Sequence, residues 1–189
     1  REDMLNAILD ALQRMNKVRA SLRLMQDRVE PSLVNLALRP FLNELLPRFS
    51  RKLHDLDITL DCPDGVFLST DPQFLGTVME NLLLNAYEAA GGNSQVRITV
   101  LPGDQGITLS VYNTGPAIPE YLMPDRLFHP FVSDKPGGTG IGLWQARLLL
   151  QHLKANITAE NSEAGGVRFL IFFPLNATFK DSVVSPTDL

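Results

Sequence analysis

Residues 1–29 hold no Gly or Pro, and Met4, Ile8, Ala11, Met15, Val18, Leu22 and Met25 recur at alternating steps of four and three. That spacing is a heptad seam, with Asp10, Arg14, Lys17 and Ser21 lying off it. A single helix of this kind is unstable alone in water, so the segment is expected to pack on its own domain or, the reading preferred here, to form a dimerisation stalk. Glu30-Pro31-Ser32 ends it, because the residue before proline avoids the helical region. A second amphipathic helix is expected over residues 40–53, with Phe41, Leu42, Leu45, Leu46 and Phe49 on its apolar face. Pro47 should kink it or split it in two. Ile58-Thr59-Leu60 and Val66-Phe67-Leu68 read as short strands around the turn Pro63-Asp64-Gly65.

Asp71-Pro72 is an N-cap acid followed by proline in the first turn. It opens a helix expected to run to about Ala90, where Gly91-Gly92-Asn93 closes it. Residues 96–100 and 107–112 alternate apolar and polar, as half-buried antiparallel strands do. Residues 120–138 form a long connection, a length often used for a lid. Residues 142–153 are helical in pattern, and residues 157–160 and 167–173 read as strands around Gly165-Gly166. Residues 176–189 are mostly polar and expected to fray.

The composition is that of a globular domain: 189 residues, 44% hydrophobic and 20% charged. That length fits one ordinary domain plus a short extra element. The net charge is −4, with no run of Lys and Arg that would track a polyanion, so a nucleic-acid partner is not expected. The single cysteine, Cys62, cannot form an internal disulfide. No stretch is long and apolar enough to span a bilayer, so this segment is not expected to be membrane-inserted. The opening inside a helical pattern reads as a fragment of a longer protein.

Three stretches carry candidate chemistry. Gly137-Gly138-Thr139-Gly140-Ile141-Gly142-Leu143 leads straight into a helical pattern. Glycines let backbone N–H groups approach a ligand, and the helix N-terminus behind them favours anions. In Glu80-Asn81-Leu82-Leu83-Leu84-Asn85-Ala86, Asn81 and Asn85 project from one helix face, with Glu88 near it. Asparagine is a poor helix-interior residue. The pair is open to two readings: satisfied polar side chains at a helix surface, or oxygen ligands for a hard cation such as Mg²⁺ beside phosphates. Asn113-Thr114-Gly115-Pro116-Ala117-Ile118-Pro119 is a polar turn at a strand end, a position suited to a ligand-reading loop or to a plain structural turn.

In this order, the stretches resemble the ATP-binding catalytic domain of sensor histidine kinases, whose wider family includes gyrase B, the large heat-shock chaperone ATPases and MutL. Residues 80–86 match the N box, residues 113–119 the first glycine box, residues 127–131 the F box and residues 138–143 the second glycine box. Gly165-Gly166 with Phe169 is similar to the last glycine box. The resemblance covers residues 30–175 as the catalytic domain. Residues 1–29 look like the second helix of the dimerisation and histidine phosphotransfer region, and residues 176–189 are left as a tail. It implies a two-layer α/β (α+β) sandwich, a mixed sheet with helices on one face and an ATP lid, preceded by the coiled-coil-like helix. It also implies Asn85 as the Mg²⁺ ligand, with Asn81 one turn earlier beside the triphosphate. Gly140, Ile141, Gly142 and Leu143 would cradle phosphates through backbone N–H groups, Thr139 would add a hydroxyl, and Gly138 would join them in binding the nucleotide. Asn113 would meet the adenine amino group with Ala117 beside it, and Gly115 and Ile118 would also bind the nucleotide. Phe128 and Phe131 would anchor the lid, Lys135 would reach the phosphates, and Glu80 would be an acid–base helper. The implied activity is transfer of the ATP γ-phosphoryl to a histidine. The implied partners are a phosphoacceptor helix of the same or a dimeric partner chain and a response regulator receiver domain. The implied setting is the cytoplasmic portion of a membrane-associated homodimeric sensor.

The sequence departs from that pattern at three places. Asn113 stands where the family usually has Asp, and so reads an amino group without charge. Ala117 replaces a usual glycine. Glu88 stands where many members carry a basic residue, and would repel a triphosphate unless it turns away or meets the metal. These changes keep open a nucleotide-free docking or regulatory domain of the same fold. A gyrase B-type ATPase would need a base one turn before the metal asparagine, where this chain has Asn81. Of the three histidines, His54, His129 and His152, none sits in the family's acceptor pattern, so the acceptor is expected outside this chain and autophosphorylation is not expected.

Overall fold

A computed structural model of the chain describes Met4, Ile8, Ala11, Leu12, Met15, Asn16, Val18 and Arg19, and residues 30–53, 56–90, 94–134 and 138–175. The eight separate residues are helical. They include five members of the heptad seam; Leu22 and Met25 lie outside the described residues, as do His54, the Gly91-Gly92-Asn93 stop and the expected tail.

Strand β1 (Val34–Ala37) runs directly into helix α1 (Leu38–Lys52). Strands β2 (Leu56–Asp61) and β3 (Phe67–Thr70) follow, then helix α2 (Pro72–Ala90) and strands β4 (Ser94–Gly103) and β5 (Gly106–Asn113). Two 3-10 turns, Glu120–Leu122 and Arg126–Phe128, punctuate the long connection before helix α3 (Gly142–His152) and strands β6 (Asn156–Asn161) and β7 (Val167–Pro174). Five strands form one sheet in the order β2-β4-β5-β7-β6. β2 is parallel to β4 and every other pairing in it is antiparallel. This is the mixed sheet that the resemblance implies.

Alternation along β4 shows how the layers meet. Val96, Ile98 and Val100 are buried while Gln95, Arg97 and Leu101 are exposed. Onto the apolar face α2 brings Leu75, Val78, Met79, Leu82, Leu83 and Ala86, all fully buried. α1 adds Leu42, Leu46 and Phe49, and α3 adds Ala146, Leu149 and Leu150 to the same core. Each fully buried leucine of α2 stabilises the fold by about 1.5–3 kcal/mol through area removed from water.

α2 starts where Asp71 and Pro72 place it. The Asp71 carboxylate accepts the N–H groups of Gln73 (2.8 Å) and Phe74 (3.1 Å), a helix N-cap. Its other oxygen accepts the N–H of Ser32 at 2.8 Å, which ties the chain's entry into the domain to the same helix.

Strands β2 and β3 flank the Pro63-Asp64-Gly65 turn as expected, but they are not partners across it. β2 pairs with β4, and β3 pairs with β1 in a separate antiparallel ribbon. The reason is that β2 has a longer apolar partner in β4, and α2 supplies the crossover that a parallel pair needs. Pro47 does not split its helix, which continues from Leu38 to Lys52. Buried Leu42, Leu46 and Phe49 hold both halves against the core, and the Pro47 carbonyl accepts Arg51 Nε at 3.2 Å. The helix also starts two residues before Pro40, which sits in the first turn, where its missing N–H costs nothing.

Cys62 is buried in the core beside β2. Burial pushes its thiol above the ordinary value, Arg39 pulls it down, and Asp64 and Asp61 push it up. It is an inert structural thiol, not a nucleophile. Among the described residues no helix is long and apolar enough to cross a membrane.

Candidate functional site

Strand β5 ends in a buried polar side chain. Asn113 is 1% exposed, and its Nδ2 donates to the Thr114 carbonyl at 2.9 Å. Thr114 is strapped to β4 twice: its N–H donates to the Gln95 carbonyl and its Oγ1 accepts the Gln95 N–H, each at 3.0 Å. The turn after β6 presses on the same strand end. A Cβ on Gly166, whose φ is +80°, would lie 2.1 Å from the Asn113 carbonyl oxygen, so only glycine fits there. The Tyr112 hydroxyl donates to the Gly165 carbonyl at 2.9 Å and fixes that turn.

Beyond Asn113 the chain crosses an open cavity. Asn85 and Ala89 of α2 form one side, and Asn113 with residues 116–119 another. Leu122 and Leu127 of the long connection and Val167 and Phe169 of β7 supply apolar walls, with Asp134 at the rim. Apolar walls with few polar groups suit a flat heteroaromatic ligand. The Asn113 Nδ2 donates one of its two hydrogens to Thr114, and its Oδ1 is the amide atom able to accept from such a ligand. Asn113→Asp would set a carboxylate oxygen against the Thr114 carbonyl in a buried position. That variant is expected to lose about 1–3 kcal/mol of stability without ligand, the cost of a buried polar group left unsatisfied. Denaturant melts of the two proteins measure it, and an unchanged midpoint would show that the amide donation is not needed.

The two asparagines of α2 serve different neighbours. Asn81 is 7% exposed, and its Nδ2 donates to Gln145 Oε1 of α3 at 3.3 Å. A Cβ added to Gly142 would sit 3.3 Å from Asn81 Oδ1, so Asn81 lies against the start of α3. Asn85, one turn on, lines the cavity. Glu88 is exposed a further turn along, Glu80 is half-buried, and each has an interaction partner of its own. Neither belongs to the cavity lining. Among the described residues no group of three or more His, Cys, Asp or Glu could hold a metal ion. A metal at Asn85 would therefore take its other oxygens from a bound ligand and water, as Mg²⁺ does with phosphates.

The glycine loop enters α3 with no side-chain cap from Ile141. The first helical bond is Gln145 N–H to the Ile141 carbonyl at 2.8 Å, which leaves the N–H groups of the first turn for an anion. Thr139 Oγ1 accepts the Ile141 N–H at 3.4 Å and shapes the approach. Gly140 is the contact with the lid. Its φ is +62°, its carbonyl accepts the Phe131 N–H at 3.1 Å, and a Cβ there would lie 2.5 Å from the Val132 nitrogen.

The two aromatics of the long connection differ in burial. Phe128 is 2% exposed, with the Arg147 guanidinium 5.6 Å from its ring centre and Asp125 paired to Arg147 at 3.6 Å. Phe131 is 69% exposed and adopts a left-handed backbone (φ 63°). Its ring is exposed, and its backbone N–H makes the bond to the Gly140 carbonyl.

Of the expected site residues, the structure gathers Asn85, Asn113, Ala117 and Ile118 on one cavity. Gly115 lies beside it, where an added Cβ would meet Asn113 Nδ2 at 3.7 Å and the Ala89 carbonyl at 3.8 Å. Gly138, Thr139, Gly140, Ile141, Gly142 and Leu143 form the loop and first turn next to Asn81. Lys135 lies outside the described residues. The sequence reading missed Ala89, Leu122, Leu127, Asp134, Val167 and Phe169 as cavity lining. Ala89 was within reach, being one turn beyond Asn85; Val167 and Phe169 share the inward face of one strand. It also missed Asn161, whose side chain bonds Ile118 across 43 positions with no local signal.

Comparison with known proteins agrees with this geometry. The family described as histidine kinase-, DNA gyrase B- and HSP90-like ATPase matches residues 70–177, more than half of the chain. Sensor histidine kinase ZraS of Escherichia coli K12 is 28% identical over 171 residues, 89% of this chain and 37% of ZraS. Sensor protein kinase PilS of Pseudomonas aeruginosa is 31% identical over 173 residues, 88% of this chain and 32% of PilS. The chain thus spans about a third of the length of these two relatives. The solved nucleotide-free catalytic domain of histidine kinase ThkA superposes with a TM-score of 0.68 at 30% identity, covering 76% of this chain and 95% of that domain. ThkA in complex with response regulator protein TrrA superposes with a TM-score of 0.76 at 27% identity, covering 90% of this chain and 50% of that one.

Proposed function

The chain belongs to the family of histidine kinase-, DNA gyrase B- and HSP90-like ATPases, and from that premise we propose that it is the ATP-binding catalytic part of a two-component sensor histidine kinase. The observation that carries the reading is the cavity that joins Asn85 of α2 to Asn113 and the 116–119 loop, next to an uncapped helix behind a glycine loop. Adenine would lie between the apolar walls with its amino group on Asn113 Oδ1. The triphosphate would run toward the first turn of α3. Mg²⁺, coordinated through Asn85 Oδ1, would neutralise charge on the phosphates. The protein's own contribution is positioning and electrostatics, which is what phosphoryl transfer asks of a site. Lys135 and Glu80 remain in this proposal as a phosphate contact and an acid–base helper.

Asn81 favours transfer over hydrolysis, since an amide bonded to Gln145 cannot activate water as a base. The acceptor would be a histidine other than the three in this chain. His129 is exposed on the lid, and His152 packs edge-on against Phe74. A dimeric stalk is supported by Met4, Ile8, Leu12 and Met15, which are 49–68% exposed on helical residues. A response regulator would then receive the phosphoryl group, as a partner of the full-length homodimer on the cytoplasmic side.

Mixing the chain with γ-labelled Mg-ATP and a separately supplied acceptor helix bundle tests the reading. Label should appear on the acceptor as an acid-labile, alkali-stable phosphate. Release of inorganic phosphate with an unlabelled acceptor would instead favour an ATPase of the gyrase B type.

A further inference from the structure

Asn161 closes β6, opposite Val167 of the cavity wall. Its Oδ1 accepts the Ile118 N–H at 2.7 Å and its Nδ2 donates to the Ile118 carbonyl at 2.9 Å. A carboxamide carries donor and acceptor side by side, so it can pair with both backbone groups of one residue as a neighbouring strand would. Ile118 needs such a partner. It lies in a loop with Pro116 and Pro119, which have no N–H to fasten it. The loop forms one side of the cavity, and the Ile118 side chain packs partly buried against the core.

We infer that Asn161 is a positioning residue for the nucleotide base, acting through Ile118; this rests on the nucleotide-binding reading above. With Ile118 held from the β6 side, the wall of the base cavity is in place before ligand arrives, and binding does not have to order it. The bonds of Asn161 go to the base end of the site and not to the glycine loop at residues 138–143. Its loss therefore weakens binding that uses the base and spares binding that uses only phosphates. This split separates positioning from a general loss of structure, which would weaken both.

The test compares wild type, Asn161→Ala and Asn161→Gln. For Asn161→Ala the dissociation constant for Mg-ATP is expected to rise about tenfold, the size of one to two net hydrogen bonds at a half-wet site. Competition by inorganic tripolyphosphate, which has no base, should stay at the wild-type level. Asn161→Gln keeps the carboxamide and should recover part of the loss. In the ligand-free protein the Ile118 amide should exchange with solvent slowly in wild type and fast in Asn161→Ala. Equal Mg-ATP affinity in Asn161→Ala and wild type would overturn the inference, as would ATP and tripolyphosphate weakening together. Wild type that binds no ATP overturns the nucleotide reading itself. That result is distinguishable, because the slow Ile118 exchange would still report the clamp.

Discussion

Replacing Asn85 with alanine is expected to remove Mg²⁺-dependent ATP binding while leaving the fold standing. Asn85 is the polar α2 side chain that lines the cavity, and among the described residues no acidic or histidine cluster could hold the metal in its place. A cation bound by one protein oxygen and the phosphates has no second protein ligand to fall back on. Changes in the outer shell of a metal site alone cost about 10- to 100-fold in affinity, so loss of the ligand itself should cost on the order of 100-fold or more. The fold should tolerate the change, because alanine is the better helix former by about 0.7 kcal/mol or less and the α2 core residues stay in place. Calorimetry with Mg-ATP, read beside a thermal melt, separates the two effects. Retained affinity in a folded variant would move the metal away from Asn85.

The second large effect is expected at Gly140. An alanine there meets backbone, not flexible side chain: the Val132 nitrogen at 2.5 Å, and the Phe131 carbonyl carbon and Val132 oxygen at 2.6 Å. It would also hold a left-handed φ of +62°, which costs a non-glycine residue about 1–2 kcal/mol. Both penalties fall on the arrangement in which lid and glycine loop touch, and opening the lid relieves them. The bond from Phe131 N–H to the Gly140 carbonyl goes with it. A penalty of about 2 kcal/mol on the closed arrangement weakens ATP about 30-fold. Protease should cut the lid near residues 129–134 faster in the variant, with little change in the global unfolding midpoint, since the core lies elsewhere. ATP affinity equal to wild type would show that lid contact does not contribute to binding.

Local signals carried much of the fold. The α2 boundaries were legible because Asp71 caps the helix and Pro72 opens it, and the strands from β4 onward because each alternates over a half-buried sheet. β1 was not, because four residues leading without a break into α1 carry too little periodicity to stand out. Strand order was not legible either: β2 meets β4 across the whole of β3 and α2, and nothing local records that. Pro47 misled because core packing of its neighbours outweighs one missing N–H. Among the residues the motifs single out, Asn85 and Asn113 line the cavity. Spacing left Asn81 and Asn85 equivalent, and only the fold distinguishes them: one amide is turned to Gln145 and the other lines the cavity. Phe128 and Phe131 likewise look alike three residues apart, until one is 2% exposed and the other 69%.

The most direct test of the account is a calorimetric titration of this chain with ATP, once with Mg²⁺ and once with a chelator. The account predicts saturable one-to-one binding with Mg²⁺ and much weaker binding without it. ATP at about 100 times its dissociation constant should stabilise the protein by about 2.7 kcal/mol, a rise of about 5–10 °C in melting temperature. No heat and no melting shift at millimolar Mg-ATP would contradict it, and would leave the cavity to a nucleotide-free docking domain.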